Sequence, residues 1–186
     1  MPSEAIPAPW NSFLKELDGT LSDEFHLHCM GGFVVTFLYG FSRPTADLDV
    51  LVMITKDERF SALVKLGGRG SGLHKKYGVY LDCVTVSKVP DCYDERLIEM
   101  FPGKLKHLRL LALDPYDLAL SKLERNEPRD RDDVKYLAQS VPFDLAVLQE
   151  RYQKELRPYL GRPEREDLTL NLWIEAIEEL RANKSG

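Results

Sequence analysis

Apolar residues change their rhythm along this 186-residue chain near position 113. Before that point, several apolar stretches are short and rich in β-branched and aromatic residues, as strands require. After it, they recur every three or four positions, as on one face of a helix. Trp10, Phe13, Leu14 and Leu17 follow Pro7 and Pro9 at helical spacing and predict an amphipathic helix over residues 10–21. Residues 25–30 read as a strand, Gly31-Gly32 as a turn and 33–39 as a short apolar helix. A loop over 40–45 contains Pro44, and 48–54 form an apolar run that reads as a buried strand. Residues 56–66 look helical and begin with acidic residues, as helix starts often do. Gly67, Gly68, Gly70 and Gly72 mark a flexible loop, and 79–86 read as a strand that Pro90 breaks. Beyond it, 93–100, 115–126, 130–140, 143–159 and 166–182 read as helices, with one short strand at 107–113.

This order predicts an α+β fold: a mixed sheet flanked by helices over residues 1–113, then a helical part over 114–186. The chain is short enough for the two to form one compact domain. Composition changes little in that picture. With 44% hydrophobic and 30% charged residues, the core does not depend on disulfides or a structural metal. A net charge of −5 argues against a nucleic-acid coat protein, while leaving room for an enzyme with one local basic face. Cys29, Cys83 and Cys92 are odd in number and lack metal-ligand spacing, which predicts buried, reduced thiols. There is no start like a signal peptide and no apolar run near the ~20 residues of a membrane span. The expectation is a cytoplasmic protein without a membrane partner.

The candidate chemistry centres on residues 29–53. Asp47 and Asp49 lie two apart on an expected strand, so both side chains point to one face, with Leu48 and Val50 on the other. Paired carboxylates at that spacing can share divalent ions about 3.5–4 Å apart. The pattern is common by chance, and taken alone it is explained more readily by a turn cap at Asp47 with a solvated Asp49. Gly31-Gly32, just upstream between a strand and a helix, lets backbone approach a phosphate. Asp82 is a charge within an expected strand, either an edge carboxylate facing water or a third ligand. Lys122, Arg125 and Asn126 fall on one face of the expected helix, and Asp130 reads as the cap of the next helix, with Asp133 at its third position. His26 and His28 have no third metal ligand spaced near them. The stripe of Leu172, Trp173, Ile177 and Leu180 reads as core packing or a partner interface.

Taken in order, the strand, Gly-Gly, helix, Ser42-Arg43-Pro44-Thr45, Asp47-Leu48-Asp49 and the later Asp82 resemble the nucleotidyltransferases of the DNA polymerase β superfamily. Within it, they look most like the minimal bacterial group that includes AbiEii-type toxins and uncharacterised relatives. The stretch from Asp117 through Lys122 to Arg129-Asp130 and Asp133 resembles the helical motif of that group. The resemblance covers roughly residues 10–140 and implies a polymerase β-like palm whose active site the helical part completes.

It implies roles residue by residue. Asp47, Asp49 and Asp82 are metal ligands, and Asp82 also helps deprotonate the acceptor hydroxyl. Gly31 and Gly32 hold nucleotide phosphates, helped by Ser42, Arg43 or Thr45 where the wider superfamily has a serine in the glycine turn. Lys122 contacts the triphosphate, and Asp133 lies near the pocket. The implied reaction transfers a nucleoside monophosphate from a triphosphate to an acceptor hydroxyl, with Mg²⁺ as metal and Mn²⁺ as substitute. RNA, including transfer RNA, is the acceptor expected of a toxin-type enzyme, with a cognate antitoxin as protein partner. Nucleotidylation of a small molecule or protein is one alternative, and a catalytically silent binding module is another. The intact aspartate trio speaks against the latter. Two basic clusters, Lys65, Arg69, His74, Lys75 and Lys76, then Lys104, Lys106, His107 and Arg109, are either solvated surface or a guide for a polynucleotide.

Overall fold

The computed structural model describes residues 5–52, 57–85 and 88–184. The strand end expected at Ile54, the helix start at Lys56 and the strand end at Val86 lie outside the described residues. The chain forms two compact units: Met1–Ser87 with Leu97–Leu113, and Lys88–Arg96 with Asp114–Gly186.

The first unit is a five-stranded mixed sheet with helices. Its elements are α1 (Trp10–Asp18), β1 (Phe25–Met30), α2 (Gly31–Phe37), β2 (Asp47–Leu51), α3 (Glu58–Gly67), α4 (Gly72–Tyr77), β3 (Tyr80–Val84), β4 (Ile98–Met100) and β5 (Leu108–Ala112). The strand order is β3-β2-β1-β5-β4. The β1 strand runs antiparallel to β2 and parallel to β5, and β2 runs parallel to β3. Central position explains the sequence of β1, in which every residue but His26 is buried. The stripe expected on α1 is its buried face: Trp10, Phe13, Leu14 and Leu17 are each 1% exposed or less. Burying such side chains contributes about 1.5–3 kcal/mol each. Trp10 meets the Phe33 ring edge-on at 4.7 Å, so α1 and α2 share one core.

Several expectations are corrected here. The turn expected at Gly31-Gly32 falls within α2, of which they are the first two residues, with the change of direction at Gly31. The glycine-rich loop ends in α4, a helix capped by the Ser71 side chain and closed by Gly78 at φ +74°. Residues 93–100 are not one helix. Tyr93–Arg96 form a single 3₁₀ turn and Ile98–Met100 pair with β5 as the edge strand β4. His26 pairs with Glu24 at 2.8 Å on the surface.

The second unit holds α5 (Pro115–Leu120), α6 (Pro128–Ser140), α7 (Leu145–Arg151) and α8 (Glu164–Lys184). The expected helix over 115–126 stops at Leu120, where Lys122 and Leu123 tighten to hydrogen bonds three residues back. The expected helix over 143–159 is α7, then a π-helical turn at Tyr152–Leu156 and a 3₁₀ turn at Arg157–Tyr159, where Pro158 cannot supply an amide. Glu127, rather than Asp130, caps α6. Asp130 sits at the third helical position and closes a capping box back onto the Glu127 backbone. The segment 88–96 is tied into this unit by Arg96, which grips the fully buried Asp117 at 3.0 and 3.2 Å and Glu155 at 2.6 Å. Arg151 joins the same cluster, bridging Asp114 at 2.7 Å and Asp117 at 3.0 Å.

One carboxylate links distant parts of the sheet unit. Asp18, at the end of α1, accepts from the backbone N–H groups of Lys106, His107 and Leu108 at 2.9, 2.7 and 2.7 Å. Burial by itself raises its pKa. The three amides outweigh that and hold it below the ordinary carboxylate range. The folded value is the lower one, so its contribution to stability is present above the unfolded value near ~3.9 and is lost as the pH falls through the folded value. Asp18→Asn removes the charge and turns an amide N–H toward donors. We expect urea denaturation at pH 7 to show a loss of about 1.5–3 kcal/mol, shrinking toward low pH. An unchanged midpoint at pH 7 would refute the role given to Asp18.

Candidate active site

The geometry of the site begins with a register. Met30, the last residue of β1, lies opposite Asp49 on β2. The chain turns immediately afterwards, at Gly31, whose φ is +70°. A Cβ at Gly31 would lie 1.8 Å from Asp49 Oδ2, so only glycine lets the backbone pass over that carboxylate. Gly32 lies close to Arg43, since a Cβ there would lie 2.7 Å from the guanidinium and 3.6 Å from the Thr45 hydroxyl. Two glycines thus make room for two oppositely charged side chains on one short stretch of backbone.

The second register is between β2 and β3, where Asp47 lies opposite Tyr80 and Asp49 opposite Asp82. Side chains two apart on a strand share a face, and residues in register on neighbouring parallel strands point the same way. Asp47, Asp49, Tyr80 and Asp82 therefore share one face of the sheet. One carboxylate oxygen from each of the three aspartates lies within 4.8 Å of the others, and all three residues are half-buried. The Thr45 hydroxyl lies 3.1 Å from Asp47 Oδ1 and from the Asp47 carbonyl oxygen, steadying the start of β2. Below them, burial pushes the Cys29 thiol far above its ordinary pKa, and the negative charge of Asp49 adds to the effect. Burial and the charge of Asp82 also raise the pKa of the Cys83 thiol. Both shifts favour the protonated thiol.

Three converging carboxylates repel one another unless a cation compensates them. The donor set is all oxygen and half-buried. That suits a hard divalent ion such as Mg²⁺ or Mn²⁺ that keeps some of its water. The residues present therefore fit a metal centre.

The remaining sequence candidates are placed as follows. Gly31, Gly32, Arg43 and Thr45 surround the carboxylates in the sheet unit, and Ser42 is exposed beside them. Lys122 and Asp133 belong to the helical unit. There Lys122 is 3% exposed, its ammonium 2.8 Å from Asp133 and 3.5 Å from Asp130. Arg125 adds a bidentate pair to Asp130 at 2.6 and 2.8 Å. With burial working against it, Asp130 is nevertheless held below the ordinary carboxylate range by Arg125 and Lys122. Sequence reasoning passed over Tyr80. Its position two before Asp82 on the same strand was the available signal.

Residues 11–181 match a family model described as a nucleotidyltransferase of unknown function (DUF6036). No curated protein and no solved structure matches the chain.

Gly31→Ala tests the crowded register. The left-handed backbone alone costs a residue with a side chain about 1–2 kcal/mol, and the overlap with Asp49 adds to it. We expect a lower melting temperature and a displaced Asp49, read as loss of Mn²⁺ binding by calorimetry. A variant as stable and as able to bind Mn²⁺ as the original chain would show that Gly31 has no such role.

Proposed function

Because the chain belongs to this nucleotidyltransferase family, we propose that it is a metal-dependent enzyme joining a nucleoside monophosphate, taken from a triphosphate, to an acceptor hydroxyl. The observation that carries the reading is the convergence of Asp47, Asp49 and Asp82 on one face of the sheet. In this reading Asp47 and Asp49 hold the divalent ions, and Asp82 completes the site nearest the acceptor. Bound Mg²⁺, or Mn²⁺ in its place, neutralises charge on the phosphates and lowers the pKa of the attacking hydroxyl.

The chain's own groups do the rest. Arg43, accommodated against Gly32, meets the triphosphate with planar guanidinium donors. Gly31 keeps the backbone close without filling the space over Asp49. Asp82 takes the proton of the acceptor hydroxyl. The oxygen so freed bonds to the α-phosphorus, the bond from that phosphorus to its bridging oxygen breaks, and pyrophosphate leaves. Positioning and charge compensation supply the rate, as expected for phosphoryl transfer. We place this chemistry in the cytoplasm, with RNA as the acceptor.

The test incubates the protein with labelled nucleoside triphosphates, Mg²⁺ and total RNA, alongside Asp47→Ala and Asp82→Ala. Label should pass to the acceptor, and either substitution should slow it by at least about a hundredfold, the scale of losing one preorganised charged group. Triphosphate binding should also require the divalent ion. If neither transfer nor metal-dependent triphosphate binding occurs, the reading fails.

A further inference from the structure

The edge of the sheet next to Asp82 carries a second group of side chains. Gly68 forms an isolated parallel bridge with Leu81 of β3, at the free edge of the sheet, and Arg69 is the next residue along the chain. The Arg69 guanidinium lies over the Tyr80 ring, 4.7 Å from its centre, and donates to the Tyr80 hydroxyl. His74 packs against the same ring, with centroids 4.7 Å apart. The Gly70 backbone N–H donates to His74 Nδ1 at 2.8 Å, which leaves the ring proton on Nε2 as a donor. Tyr80 is 7% exposed and shares the face of the three aspartates. It is the platform against which both side chains are fixed.

Arg69 is itself exposed. Among the described residues, no carboxylate lies within ion-pair distance of it. A guanidinium has five donors in a fixed fork, and the Tyr80 oxygen does not occupy them all. An arginine held in one orientation by an aromatic ring and a hydroxyl, with donors left over beside an acidic cluster, is built to receive an anion.

Its place in the sheet says which anion. Gly31 and Gly32, with Arg43, follow β1 on one side of the aspartates, and Arg69 stands beyond β3 on the other. In-line transfer puts the leaving pyrophosphate and the attacking hydroxyl on opposite sides of the reacting phosphorus. With the triphosphate on the Arg43 side, the acceptor enters on the Arg69 side. Resting on the nucleotidyltransfer reading above, we infer that Arg69, braced by Tyr80 and His74, binds a phosphate carried by the acceptor next to the hydroxyl that is modified. The acceptor is then a phosphorylated nucleotide or the end of a polynucleotide, and not an unphosphorylated small molecule or a protein side chain.

The experiment measures acceptor binding with the triphosphate site filled by a non-hydrolysable triphosphate and Mg²⁺. Three probes are compared on the full chain: a single-stranded oligoribonucleotide, a nucleoside monophosphate and the matching nucleoside. The intact protein should bind a phosphorylated probe more tightly than the nucleoside. Arg69→Ala should weaken that binding about tenfold or more, the scale of a charge-assisted contact. It should also reduce the slope of log affinity against log salt for the oligoribonucleotide by about one. Tyr80→Phe, which keeps the ring and removes the hydroxyl, should fall in between. Metal-dependent triphosphate binding should be the same in all three proteins. Preference for the oligoribonucleotide over the monophosphate identifies a polynucleotide acceptor, and equal binding identifies a nucleotide.

Equal binding of nucleoside and phosphorylated probes, or a phosphate preference that survives Arg69→Ala, overturns the assignment of Arg69 alone. Absence of metal-dependent triphosphate binding in the intact protein instead brings down the nucleotidyltransfer reading, and this inference with it.

Discussion

The close approach of backbone to carboxylate at the end of β1 is the constraint on which the candidate site depends. Met30 opposite Asp49 fixes where β1 must end, and the left-handed turn at Gly31 carries the chain over the carboxylate into α2. Everything else near the aspartates is measured from that crossing. The antiparallel pairing of β1 and β2 sets Asp49, the parallel pairing of β2 and β3 sets Asp82 beside it, and Gly32 leaves the gap that Arg43 enters. Mutual repulsion among the three carboxylates works against the cluster. The cluster persists because the apolar residues on the other face, Leu48 and Val50 among them, are buried and hold the strands in register.

The helical unit handles charge by the opposite logic. Asp117, Asp130 and Asp133 are fully buried, and each meets a cation: Arg96 and Arg151 at the first, Lys122 and Arg125 at the second, Lys122 at the third. Such pairs are costly to break, because removing one partner leaves a desolvated charge, by about 3–5 kcal/mol. They act as internal ties, and the one holding segment 88–96 through Arg96 joins chain that is distant in sequence. The aspartates of the sheet are half-buried and converge on one another. Those of the helical unit are sealed and neutralised.

Much of the fold was legible from local pattern. The run Phe-His-Leu-His-Cys-Met is bounded by the same residues as β1, and the α1 stripe is its buried face. Local pattern failed where tertiary structure decides. Ile98–Met100 is only three residues long, and pairing with β5 outweighs its helix-like surroundings. The helix α4 was hidden by glycines, although Ser71 and Gly78 are ordinary start and stop signals. At the site, the shared face of Asp47 and Asp49 follows from strand alternation alone. That Asp82 lies beside Asp49, and that Tyr80 shares their face, follows from strand order and register, and one sequence does not specify strand order. The same holds for Lys122, whose two buried carboxylate partners lie on another helix.

The sheet also sets a timetable. Its central strand β1 needs β5 as a parallel neighbour, and Phe25 finds that neighbour in Leu108, far downstream. During synthesis at about 5–20 residues per second, β1 waits roughly 4–16 s before its partner has been made. Over that interval a strand that ends up buried at all but one position has at most one edge covered, by β2, while the other presents open hydrogen-bonding groups. Newborn chains of this protein therefore pass through an aggregation-prone window whose length is fixed by topology, and it closes only when β5 arrives.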